Sequence, residues 1–153
     1  MSRERQDLLS RSALGVFRLN GQFLAVSEEL ARPAGLTAAW WQVLGAVLGE
    51  PLSVAGIARA MGITRQSVQR VADLLVERGL AEYRPNPAHR RAKLLAPTEE
   101  GRAAVSRIGP GHAAFADRLA QAYGDDAELA DAVRVLERLS KVLEQLGSPV
   151  TEP

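Results

Sequence analysis

The stretch "SVAGIARAMGITRQSVQRVADLLVERG", Ser53 to Gly79, holds two helical patterns separated by Gly-Ile-Thr. Ser53 suits the N-cap of "VAGIARAM", since its hydroxyl can accept from an unpaired first-turn amide, and Gly62 is a natural stop. Thr64 plays the same part for the next helix, whose Val68, Val71, Ala72, Leu74 and Leu75 recur at a spacing that turns them inward. Two short helices joined in this way form a helix-turn-helix, in which the second helix enters the major groove of DNA.

Reading onward, "LAEYRP" and "AKLLAP" predict two short strands around "RPNPAHRRAK", so a hairpin follows the second helix directly. Helix, turn, helix and hairpin make a winged helix-turn-helix. Charge supports that reading. From Ser53 to Lys93 there are eight basic residues against three acidic ones, a local balance of +5, whereas the whole chain carries +1. Such asymmetry is the footprint of a nucleic-acid-binding segment set in neutral or acidic surroundings. Of the 19 basic residues only Lys93 and Lys141 are lysines. Arginine's planar fork of donors suits phosphate and guanine edges, although codon usage produces the same excess.

Upstream, apolar residues including Leu9, Ala13, Val16, Phe17, Phe23 and Leu24 recur at three- and four-residue spacing, which predicts an amphipathic helix from about Arg3 to Leu30. Pro33 and Gly35 end it, and Thr37 caps "TAAWWQVLGAVL", whose apolar positions nearly surround it and imply burial. Downstream, a helix resumes near Gly101. Gly109-Pro110-Gly111 predicts a kink or break, because proline removes a backbone donor and clashes with the preceding turn. The histidine that follows, His112, then falls at a helix start. A last helix runs from Asp125 to about Leu146. Its stripe of Leu129, Ala132, Val133, Leu136, Leu139, Val142, Leu143 and Leu146 is too broad for a lone surface helix and calls for packing against another subunit.

The 153 residues, 46% hydrophobic and 24% charged, suit one globular domain. No apolar run approaches the length of a membrane span or forms a signal-peptide core, so no membrane partner and a cytoplasmic location are expected. With no cysteine and only His89 and His112 as histidines, disulfides, metal sites and cofactors are not expected either. "GPGHAA" follows no strand and lacks the third glycine of a phosphate loop. No nucleophile, base and orienting group share a suitable context, so the expectation is a protein that is not an enzyme.

The order of these elements, and above all "SVAGIARAMGITRQSVQRVADLLVERGLAEYRPNPAHRRAKLLAPTEEG", resembles the MarR family of bacterial transcription regulators. The resemblance implies a single, mainly α domain over 1–153 with a small β-hairpin wing. Residues 37–98 would form the winged helix-turn-helix lobe, and residues 3–32 and 101–147 the helices of a homodimer. It implies repression at a short palindromic operator in double-stranded DNA, relieved by a small molecule, often an aromatic acid. The matching recognition-helix residues are Thr64, Arg65, Gln66, Ser67, Gln69 and Arg70. Arginine can bridge guanine O6 and N7, glutamine can pair with adenine, and threonine or serine can hold phosphate.

In the wing, Arg84, Arg90, Arg91 and Lys93 are the candidate contacts to phosphate or the minor groove. The family usually has an aspartate before its wing arginines, and His89 stands there. Histidine cannot fix an arginine's rotamer as a carboxylate does; it either contacts phosphate when protonated or is an ordinary exposed loop residue. Trp40 and Trp41 point about 100° apart on one helix. Either both are core, or one joins Phe17 and Arg18 in a pocket for an aromatic acid, with the arginine pairing the carboxylate. A second reading keeps the winged helix as a protein interaction module with no DNA role.

Overall fold

The computed structural model describes residues 2–147 and Pro149. The elements run α1 (Ser2–Ala31), a 3-10 turn (Arg32–Ala34), α2 (Ala38–Val47), β1 (Leu52–Ser53), α3 (Val54–Met61), α4 (Arg65–Glu77), β2 (Ala81–Arg84), β3 (Leu94–Pro97), α5 (Glu99–Tyr123) and α6 (Asp126–Leu146). Mainly helical architecture with a small hairpin wing is as expected. The outer ends of the expected single domain, residue 1 and residues 148 and 150–153, lie outside the described residues. Two compact units divide the chain after Pro110.

Capping chemistry sets the helix starts. Thr37, Ser53, Thr64 and Asp125 all sit in extended backbone, and their side-chain oxygens accept from Trp40, Gly56, Ser67 and Glu128 amides respectively. A further partner comes from a distance: Glu28 of α1 accepts the Ala38 amide through Oε1 at 3.0 Å, pinning the start of α2. Gly62 closes α3 with φ +68, a left-handed turn that tolerates glycine best, and its N–H reaches the Ala58 carbonyl. That turn sets the angle between α3 and α4.

In the first unit, α2, α3 and α4 enclose a core whose fully buried side chains include Leu44, Ile57, Leu75, Leu95, Val43, Val47 and Val68. Burying each such side chain contributes roughly 1.5–3 kcal/mol. Leu74 is the exception to the inward set of α4, being 38% exposed. At 100° per residue it lies about 110° from the centre of the stripe made by Val68, Val71, Ala72 and Leu75. The sheet closes one side of this core. Its order is β1-β3-β2, all antiparallel, with Leu52 opposite Leu95 and Tyr83 opposite Leu95 on the other side. The two-residue β1 is too short to leave an alternating pattern in sequence. Gly101 on α5 lies so near the chain turn after α4 that a Cβ would collide with the Leu80 carbonyl oxygen.

Of the kink or break expected at Gly109-Pro110-Gly111, the break is absent: α5 runs from Glu99 to Tyr123 with Pro110 inside it, and His112 is corrected from a helix start to a position within the helix. Proline removes only one N–H from the ladder, and the glycines on either side add no side chain to the crowding around its ring. In the second unit, α6 has no buried residue. Val133, Leu136, Leu139, Val142, Leu143 and Leu146 are all exposed along it, as are Leu8, Leu9, Leu14, Phe17 and Phe23 along α1.

Candidate nucleic-acid interface

Four segments of the first unit converge on a groove of about 530 Å³: the start of α3, the first two turns of α4, Tyr83 of β2 and the descending side of the wing. Arg65, Gln66 and Gln69 line it from α4, and Arg91 and Lys93 from the wing. All five are exposed. Among the described residues no acidic side chain lines the groove. Its chemistry is that of an anion-binding cleft with amide groups at its wall.

The wing's shape follows from two consecutive turns. Asn86 accepts the Ala88 amide through its side chain and the His89 amide through its carbonyl; the His89 carbonyl then accepts from Ala92. Arg90 and Arg91 therefore occupy the central positions of the second turn. His89 acts there through its backbone, since its carbonyl, not its ring, holds the arginine-bearing turn. Only Arg91 of the pair lines the groove.

Other candidates fall elsewhere. Thr64 and Ser67 are occupied with each other: the Thr64 hydroxyl accepts from the Ser67 amide and donates to the Ser67 hydroxyl at 2.9 Å. Ser67 lines a second groove, of about 670 Å³, bounded also by Leu24, Gln42, Met61 and Ile63. Arg70 is exposed but lies outside both grooves. Arg84 is held by Glu82 in an ion pair at 2.8 Å and faces a different surface, beside Glu50, Glu99 and Glu100. Phe17, Arg18, Trp40 and Trp41 line none of these three surfaces. Both tryptophans pack partly buried against the core, with the Arg78 guanidinium 5.5 Å from the ring centre of Trp40. Phe17 is 70% exposed.

Sequence reasoning missed Tyr83 and Asp73. The Tyr83 hydroxyl on β2 donates to Asp73 Oδ1 at 2.5 Å, and the Gln69 amide nitrogen donates to both Asp73 and Tyr83 at 2.9 Å. This network ties the recognition helix to the wing. Burial, followed by the hydrogen bond and charge of Asp73, pushes the Tyr83 phenol up to about 12, while the Gln69 hydrogen bond acts in the opposite sense. Lys93 Nζ stands 6.0 Å from the centre of the same ring. The i,i+4 pair of Gln69 and Asp73, with an aromatic residue on the following strand, was the visible signal.

A helix-turn-helix with a hairpin beside a cationic groove defines the winged helix class. Comparison with known proteins specifies it further. Residues 34–92 match the profile of the MarR family. The chain is 43% identical over 116 residues to an uncharacterised protein of Mycobacterium tuberculosis strain H37Rv, spanning 76% of this chain and 81% of that one. Among solved structures it is similar to Bordetella bronchiseptica BpsR, a protein whose DNA binding is regulated by 6-hydroxynicotinic acid (28% identity, TM-score 0.68, covering 84% of this chain and 91% of the other). A variant of Escherichia coli MarR complexed with operator DNA has the same fold (20% identity, TM-score 0.74, covering 87% and 95%). The chain belongs to the MarR family of winged-helix transcription regulators. No helix among the described residues is long and apolar enough to cross a membrane.

Proposed function

We propose that this protein is a sequence-specific DNA-binding repressor that acts as a homodimer in the cytoplasm. The observation that carries the reading is the groove lined by Arg65, Gln66, Gln69, Arg91 and Lys93, with cations on both the recognition helix and the wing. Arg65 and Gln66 at the start of α4 read base edges, and Arg91 and Lys93 hold backbone phosphate beside them. Arg70 and Arg90 add to the phosphate contacts. The exposed apolar faces of α1 and α6 join two copies, so that two recognition helices meet successive major grooves of a palindromic operator about one turn apart.

Release by a small aromatic acid is the natural regulation for such a dimer, and BpsR's response to 6-hydroxynicotinic acid supports it. In the proposed pocket Arg18 pairs the carboxylate while Phe17 and Trp40 or Trp41 flank the ring. Selection of bound duplexes from a random pool tests the main reading. A palindromic consensus, bound more weakly as salt rises, is the expected result. Absence of binding to any duplex or to heparin at low salt would sink the reading and leave a protein interaction module.

A further inference from the structure

Tyr83 makes contacts with both halves of the cationic groove. Its ring packs partly buried against the lobe's core, which holds the side chain from behind. On one side its hydroxyl donates to Asp73 Oδ1, and the Gln69 amide nitrogen lies 2.9 Å from each of the two oxygens. Those oxygens are 2.5 Å apart, so they lie in nearly one direction from the nitrogen and share a single N–H. The second N–H and Oε1 of Gln69 have no partner among the described residues. Turning the amide over would set Oε1 against the Asp73 carboxylate, so donor and acceptor keep a fixed order. On the other side, Tyr83 pairs with Leu95, which makes Lys93 its diagonal neighbour across the hairpin. The Lys93 ammonium stands over the ring, 6.0 Å from its centre, at the reach of a cation–π contact. Gln69, Tyr83 and Lys93 all line the groove.

We infer, on the DNA-reading function proposed above, that Tyr83 is a positioning residue that couples base reading by Gln69 to the phosphate contact of Lys93. When Gln69 meets its base pair, its hydrogen bond to the hydroxyl steadies the ring on which the Lys93 ammonium rests. A wrong base pair displaces Gln69 and loosens both contacts together. Lys93 therefore contributes in a sequence-dependent way although it touches only the DNA backbone. Arg91 differs, because its side chain makes no hydrogen bond, ion pair or ring contact among the described residues and so has no such tie to the recognition helix.

The test uses the full-length protein and the duplex selected from the random pool. Gln69→Ala identifies the base pair that Gln69 reads, as the position where preference disappears. The affinity ratio between the selected duplex and one changed at that pair is then measured for each variant. Being a ratio within one variant, it is unaffected by a loss of folded protein. The ratio should be about threefold larger for the wild type than for Lys93→Ala, the scale of a cation–ring contact at an exposed site. Arg91→Ala should keep the wild-type ratio. With the hydroxyl removed and the ring retained, Tyr83→Phe and Tyr83→Phe/Lys93→Ala should show equal ratios. Equal ratios in the wild type and Lys93→Ala overturn the coupling, as does a gap that survives in the Tyr83→Phe background or is matched by Arg91→Ala. Unchanged base preference in Gln69→Ala overturns it while leaving DNA binding intact. Failure to bind any duplex would overturn the DNA reading itself.

Discussion

The winged lobe and helix α6 treat the same kinds of side chain in opposite ways. In the lobe, Leu44, Ile57, Leu75 and Leu95 are fully shielded from water. Along α6, Leu136, Leu139, Leu143 and Leu146 are at comparable density and none is buried. Ala132, Leu136, Leu139, Leu143 and Leu146 alternate at four and three residues, the spacing of a coiled-coil seam. The lobe is thus satisfied by its own chain, whereas α6 keeps an apolar seam whose burial needs a further surface. That difference motivates the homodimer.

The comparison breaks most sharply in the lobe. Leu44→Ala should lower unfolding free energy by about 2–5 kcal/mol in urea denaturation, because a fully enclosed side chain leaves a cavity. A loss below about 1 kcal/mol would mean that the lobe's core is no better packed than α6. Leu139→Glu/Leu143→Glu, in contrast, should leave the lobe folded by circular dichroism and convert a dimer to a monomer in sedimentation. Charge placed in an apolar interface costs several kcal/mol, enough for a loss of association of about a hundredfold or more. A wild-type protein that sediments as a monomer defeats the dimer and, with it, the palindromic operator.

Within the lobe a smaller contrast separates recognition helix from wing. Arg65→Ala should relax preference at particular base pairs, at a cost of about 1–3 kcal/mol on the best site, whereas Arg91→Ala should weaken all duplexes alike and lower the salt dependence. Equal losses on selected and random DNA for both variants would remove that division of labour. The smallest effect belongs to the link between the two. Since the Tyr83 phenol is raised from 10.0 to about 12, its protonated form is favoured by folding. The corresponding stability is full below pH 10.0 and lost as pH climbs through about 12. The stability gap between wild type and Tyr83→Phe should therefore be level below that window and shrink across it. A gap independent of pH throughout would show that the hydroxyl adds nothing at the hinge.

Much of the site was legible because its residues lie close together in sequence. Arg65, Gln66 and Gln69 follow a capping threonine, and Arg91 and Lys93 close a hairpin, so type and position suffice to nominate them. Arg84 shows the limit of such reasoning. It belongs to the same basic stretch, yet its neighbour Glu82, two residues away on the same strand face, holds it beside a different surface. Thr64 and Ser67 were legible as polar residues at a helix start, but the structure commits both to the cap.

By itself the sequence determined where the helices begin, since Thr37, Ser53, Thr64 and Asp125 each cap through an amide only three residues on. It also determined the turn at Gly62 and the apolar seam of α6, which are matters of local backbone freedom and periodicity. Tertiary structure alone decided the pairing of β1 with β3, the capping of α2 by Glu28 ten residues away, and the hold of Asp73 and Tyr83 on Gln69. Each of these joins groups that approach only after the chain has folded back. Their energies depend on a distance and an angle between elements, and no one-dimensional pattern records either.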